Sequence, residues 1–134
     1  MLIKEQYGIK YGFDPVRRCY VKLTPEEVVR QAYLEHLIQN LNIPLIAISV
    51  EKKILYNRRT RRYDIVVYKK GVCWLVVECK AETVELTEDV LQQAALYNSV
   101  LNAEYIVLFN GITEIILHHH NGKYKRVEKM EGFG

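Results

Sequence analysis

The chain reads as a single α/β (α+β) domain on one mixed sheet, and three observations lead there. A helix opens with several start signals together, Thr24-Pro25-Glu26-Glu27. A hairpin from Arg62 to Lys80 is apolar on both faces, as a central strand pair covered on two sides should be. A strand, a helix and a strand then follow from Val72 to Phe109, the spacing of a parallel crossover. The length of 134 residues suits one domain with a real core, and 49% apolar with 26% charged residues is ordinary for a globular protein. No apolar run approaches the ~18 residues of a membrane span, and the N-terminus lacks a signal-peptide apolar region. The three cysteines, Cys19, Cys73 and Cys79, are odd in number and unpatterned, which argues against a disulfide framework or zinc site and for a reducing cytoplasm.

Taken in order, residues 1–23 form an N-terminal extension with turn signals at Tyr11-Gly12-Phe13-Asp14-Pro15 and an extended piece at Arg18 to Leu23. Thr24 caps the first helix, Pro25 takes its first position, and Glu27 three residues on completes a capping box. That helix runs to about Asn40 and is apolar on most sides (Val28, Val29, Ala32, Tyr33, Leu34, Leu37, Ile38, Leu41), which predicts extensive burial. Leu45 to Val50 reads as the first core strand. The hairpin strands follow, turning at Lys69-Lys70-Gly71, with Ile65, Val67, Leu75 and Val77 on one face and Val66, Trp74 and Val76 on the other. A second helix spans Glu88 to about Asn102, capped by Thr87, with Val90, Ala94, Tyr97 and Leu101 as its stripe. Glu104 to Phe109 is a further strand. Asn110-Gly111 and Asn121-Gly122 turn the chain into strands at Ile112 to His119 and Lys123 to Val127. Residues 24–110 thus form the core, and 111–134 a terminal hairpin and tail.

The chemistry concentrates at the open end of the central hairpin. With its turn near Gly71, Asp64 falls opposite Glu78, and such cross-strand pairs have Cβ atoms about 4.5–5.5 Å apart. Alternation puts Glu78 and Lys80 on one face and Cys79 on the other. Two carboxylates that close repel unless a cation lies between them. Mg²⁺ suits the place, because it is held by one or two carboxylates, waters and phosphate oxygens. A second Glu-x-Lys triplet, Glu51-Lys52-Lys53, also follows an apolar run but has no acid on a preceding paired strand. Net charge is only +3, yet Arg58, Arg59, Arg61 and Arg62 crowd into five residues just before Asp64, where they could hold a phosphate backbone. His118-His119-His120 could offer an i, i+2 pair to a transition metal, but no Cys or carboxylate spacing accompanies it, so it reads as an exposed strand end.

The strand–turn–strand with Asp64, Glu78 and Lys80 resembles the core of the PD-(D/E)XK nucleases, and the order helix, three strands, helix, strand is that of the same superfamily. Tyr63 stands where the motif's name has proline, without chemical cost. Gln93 and Tyr97, spaced i, i+4 on the second helix, match the Q-x-x-x-Y pair of a subset that includes bacterial recombination nucleases. In combination, Phe13-Asp14-Pro15, Leu23-Thr24-Pro25-Glu26-Glu27-Val28-Val29-Arg30-Gln31, Arg62-Tyr63-Asp64-Ile65-Val66-Val67 and Val77-Glu78-Cys79-Lys80-Ala81 resemble the N-terminal nuclease domain of type I restriction motor subunits, over roughly residues 13 to 122.

The resemblance implies a restriction-endonuclease-like α-β-β-β-α-β core and metal-dependent hydrolysis of DNA, with DNA and other restriction or repair subunits as partners. Asp64, Glu78 and the Cys79 backbone carbonyl would hold Mg²⁺, or Mn²⁺ in its place, and Glu27 is either a further ligand or only a helix cap. Lys80 would orient or deprotonate the water, Gln93 would position Lys80 or the water, and Tyr97 would brace a phosphate or Gln93. No G-x-x-x-x-G-K-[ST] loop occurs, so cleavage coupled to a motor is not implied. A non-catalytic nucleic-acid-binding or interaction domain that keeps the fold is the alternative.

Overall fold

The computed structural model describes residues 1–134. Three short strands, β1 (Ile3–Gln6), β2 (Ile9–Asp14) and β3 (Cys19–Lys22), form a separate antiparallel sheet that leads into helix α1 (Pro25–Gln39). The main sheet has six strands in chain order: β4 (Ile48–Tyr56), β5 (Arg59–Lys69), β6 (Val72–Cys79), β7 (Tyr105–Phe109), β8 (Glu114–His120) and β9 (Lys123–Val127). Helix α2 (Glu88–Tyr97) joins β6 to β7, which pair in parallel, while every other neighbouring pair is antiparallel. The mixed α+β architecture read from periodicity is the one observed. No helix is long and apolar enough to cross a membrane.

Apolar residues fill both sides of this sheet. On one side Val29, Tyr33, Leu34 and Leu37 of α1 meet Ile65, Val67, Leu75, Val77 and Val107. On the other, Val66, Val76, Ile106 and Leu108 lie under Ala94 of α2, with Leu86, Val90 and Leu101 around it. β5 and β6 supply side chains with no exposure to both clusters, as their two-faced apolarity requires.

Four details differ from expectation. The N-terminal extension is a folded three-stranded sheet, its first turn made by Tyr7 and Gly8 at positive φ, a two-residue hairpin geometry. Leu45–Ala47 is a 3-10 turn, so β4 starts at Ile48 and runs on to Tyr56, and Asn57-Arg58, both at positive φ, close the β4–β5 hairpin. Helix α2 stops at Tyr97, because the Asn98 side chain takes the Ala103 N–H and donates to its carbonyl, folding the chain back before Asn102. Finally, α1 exposes Val28 and Ala32 and buries Glu27, Arg30 and Gln31, so its hidden face is partly ionic.

That ionic face ties the small sheet to the helix. Arg30 donates to Asp14 Oδ2 at 2.7 Å and to both oxygens of Glu27, while Arg17 bridges Asp14 and Glu27. Gln31 donates to the Gly12 carbonyl, and a Cβ at Gly12 would lie 2.5 Å from Gln31 Oε1, so any larger residue there would push the Gln31 side chain aside.

Candidate active site

The β5–β6 register is set by its turn and then reset. Lys70 and Gly71, at φ 51° and 78°, close a two-residue turn that pairs Lys69 with Val72 and Tyr68 with Cys73. A bulge between Val67 and Tyr68 then lets Trp74 drop out of step, so that Val67 pairs with Leu75 and Ile65 with Val77. One pair further on, Asp64 lies opposite Glu78. Without the bulge Asp64 would face Val77, and the two acids would project from opposite sides of the sheet. The same slip explains why Trp74 packs with Tyr105 and Phe133 on the α1 side rather than with Val66 and Val76 as expected.

Beyond Ile65–Val77 the strands part. The Asp64 carboxylate accepts the Cys79 N–H at 2.7 Å, and alternation breaks there, since Tyr63 joins the cluster of Val66 rather than that of Ile65. β4 breaks step at the matching place, where Glu51 has φ 56° between the Val50–Ile65 and Lys52–Tyr63 pairs. Asp64 therefore lines two polar cavities. One, about 320 Å³, is lined by Glu26, Thr60, Arg61, Arg62, Asp64, Glu78, Cys79 and Lys80. The other, about 310 Å³, is lined by Thr24, Glu26, Glu27, Arg30, Glu51, Arg62 and Asp64.

The electrostatics of the first cavity are open. Glu78 Oε1 lies 3.5 Å from Lys80 Nζ and 3.7 Å from an Arg61 guanidinium nitrogen, contacts too long for tight hydrogen bonds. Burial pushes Asp64 up to about 6, and the neighbouring Glu51 and Glu78 add to it, against the Cys79 N–H and Lys80, which pull it down. Cys79 itself is a buried thiol whose pKa burial raises, so its sulfur is unreactive, and its N–H is directed at Asp64.

The residues expected at the site are distributed unevenly. Asp64, Glu78, Cys79, Lys80, Arg61 and Arg62 meet at one cavity. Glu27 does not join them. Thr24 Oγ1 accepts its N–H at 3.2 Å, but its carboxylate is taken by Arg17, Arg30 and Gln31 rather than returning to Thr24 as a capping box would. Glu26, one residue earlier, lines the cavity instead. Gln93 is exposed and lines neither cavity, since α2 turns that side to solvent. Tyr97 braces no glutamine. Its ring carries Arg61, whose guanidinium carbon lies 4.0 Å from the ring centroid. Arg62 pairs with Glu51 at 3.3 Å, and it is Arg61 that approaches Glu78. Arg58 and Arg59 are at the hairpin tip, outside both cavities. The three histidines have separate neighbours: His118 meets Glu104, His119 stacks on Tyr124 and His120 meets Asn121.

Glu26 and Glu51 were not foreseen. Glu51 could have been found by pairing the Asn57-Arg58 turn outward, which sets it opposite Asp64.

Two hard oxygen donors, Asp64 and Glu78, suit an ion that keeps water and phosphate in its shell. No three His, Cys, Asp or Glu side chains converge into a complete protein cage. The two acids alone could hold an ion only with water or phosphate oxygens completing its shell.

Two acids and a lysine meet at the parting ends of a central hairpin, and the family match supports a nuclease-like domain. The chain belongs to the family described as Type I restriction enzyme R protein N terminus (HSDR_N), which it matches over residues 25–132. No curated protein matches it. A solved structure, that of SSO0001, aligns over 73% of this chain and 47% of its own at 14% identity and a TM-score of 0.34, so the chain spans about half of that protein's length. A likeness at that score carries no weight for fold or function.

Proposed function

We propose that the domain is a metal-dependent nuclease that hydrolyses DNA phosphodiester bonds and works alongside other restriction or repair subunits. The observation that carries this reading is the meeting of Asp64, Glu78 and Lys80 with two arginines at one polar cavity. Asp64, Glu78 and the Cys79 carbonyl would hold Mg²⁺, with Mn²⁺ as a substitute. When bound, such an ion polarises a phosphate and makes a water nucleophilic near neutral pH. Lys80 would orient that water or offset charge gathering on the phosphate, and Arg62 would steer the backbone into the cavity. Gln93, exposed on the solvent side of α2, takes no part in this arrangement.

A second reading, a binding domain that keeps the fold, is favoured by one observation: Glu78 already has two cations beside it. The test is a cleavage assay on single-stranded, duplex and branched DNA and on RNA, with Mg²⁺ or Mn²⁺. Glu78→Gln and Lys80→Ala should each lose about a thousandfold or more, since ~4 kcal/mol of barrier suffices. Calorimetry should show Mn²⁺ binding that disappears in Asp64→Ala. Equal cutting by wild type and both variants would trace the activity to a contaminant and leave the binding reading.

A further inference from the structure

We infer that Arg61 is an exchangeable counter-cation: mounted on the Tyr97 ring, it neutralises Glu78 while no metal is bound and passes to the substrate phosphate once a divalent ion takes that carboxylate. The inference rests on the nuclease reading and assigns Arg61 and Tyr97 roles within it.

Charge balance at the cavity is the first support. Its lining carries three acids (Glu26, Asp64, Glu78) and three bases (Arg61, Arg62, Lys80), which sum to zero. A divalent ion raises that sum to two positive charges. A phosphodiester brings one negative charge, and attack by hydroxide adds a second, so the loaded cavity matches the transition state rather than the ground state. One cation must then leave Glu78 without leaving the cavity.

Arg61 is the one built to do so. Its 3.7 Å approach to Glu78 is a Coulombic contact rather than a hydrogen bond, and its side chain is 39% exposed. Lys80, at 3.5 Å from the same oxygen, follows the end of β6 and offers a compact ammonium on a flexible stem rather than a planar fork. What holds Arg61 is Tyr97, whose ring lies 4.0 Å beneath the guanidinium and is itself braced edge-on by Tyr56 at 5.0 Å and 86°. A stacked guanidinium keeps its planar fork of donors free for a phosphate, which a lysine ammonium could not do. Tyr97 is thus a positioning residue that acts through its ring face.

The test pairs Mn²⁺ calorimetry at low salt with cleavage at saturating Mn²⁺. Arg61→Ala should bind Mn²⁺ about tenfold tighter, because a positive charge has gone from beside the ion, yet cleave about a hundredfold more slowly. A merely structural role would weaken both. Tyr97→Leu should move metal affinity in the same direction, with no added effect in the double variant, whereas Tyr97→Phe should keep the wild-type affinity. Unchanged or weaker Mn²⁺ binding in Arg61→Ala, or equal shifts in Tyr97→Phe and Tyr97→Leu, would overturn the exchange while leaving the nuclease reading in place. A wild type that neither binds Mn²⁺ nor cuts would sink the nuclease reading and this one with it.

Discussion

Two quartets of charge, each with two acids and two bases, surround Asp14 and Asp64 respectively. Asp14, Glu27, Arg17 and Arg30 form one; Asp64, Glu78, Arg61 and Lys80 form the other. In the first, Asp14 accepts from the Val16 and Arg17 N–H groups, Arg17 Nε and Arg30, all at 2.7–3.0 Å. Burial alone would raise its pKa, but the Arg17 hydrogen bonds and the Arg30 charge outweigh that and hold it below the usual range. In the second, Asp64 has one hydrogen bond, from Cys79, and burial with its acidic neighbours wins. Equal formal charge gives opposite shifts, because hydrogen-bond saturation decides whether a buried carboxylate is comfortable ionised. A closed quartet is a structural clasp; an open one is left in want of a cation.

Breaking the clasp should have the larger effect on stability. Arg30→Met leaves Asp14 and Glu27 buried with only Arg17 between them, so it should destabilise the domain by about 3–5 kcal/mol. Arg61→Met, at a half-exposed pair, should cost at most ~1 kcal/mol. Urea titration of both variants measures this. Similar losses would mean that the quartets do not differ in the way their hydrogen bonds imply.

The second expected effect has the opposite sign. Asp64 has a folded pKa of about 6 against the ordinary 3.8, so between those values the native state holds more protons than the unfolded chain. Stability from this group is therefore present at low pH and lost as pH rises through about 6. Asp64→Asn removes that loss and keeps an oxygen for the Cys79 N–H. It should be more stable than wild type by about 2 kcal/mol at pH 7.5, with the gap closing below pH 4. Asp14→Asn should show the reverse, since a depressed carboxyl contributes above its unfolded pKa. Melting curves across pH decide this, and adding Mg²⁺ should stabilise wild type but not Asp64→Asn. A wild type that matches Asp64→Asn at every pH would show that Asp64 is not under this strain.

Most of the fold was legible because it rests on strong local signals: the Thr24-Pro25 helix start, the two-faced apolar β5 and β6, and the Asn-Gly turns. Only β3 of the small sheet was legible, within the extended piece at Arg18 to Leu23; β1, β2 and their pairing were missed, because β1 is a four-residue strand that buries nothing and so carries no periodicity. The acids and the lysine at the hairpin mouth were legible from spacing alone, but their alignment depends on the bulge at Trp74, which has no glycine or proline to announce it. Arg30 and Glu27 on a buried face look like surface residues in a helical wheel, because only the folded-back Asp14 makes that face habitable. Arg61 and Arg62 could not be told apart, since the strand breaks its alternation at Asp64, and counting by twos fails across such a break.

The smallest predicted effect separates the tip arginines from the cavity arginines. Arg58 is in the turn at φ 63° and Arg59 follows it, both exposed and both clear of Glu51 and Glu78. If DNA runs from the hairpin tip towards Asp64, these two side chains meet its backbone before it reaches the cavity. Replacing both with alanine should weaken binding to all sequences alike, and each lost phosphate contact should flatten the salt dependence by about 0.9 log unit of slope on duplex DNA. Arg62→Ala should behave differently. Its partner Glu51 would be left facing Asp64, so the lost phosphate contact comes with extra repulsion beside Asp64, and the Mn²⁺ affinity should shift as well as the salt slope. Binding isotherms between 50 and ~200 mM salt separate the two patterns. A tip double variant with an unchanged slope would leave Arg58 and Arg59 as a solvated turn, and the path to Asp64 would then run over the α2 side of the sheet, past Tyr97.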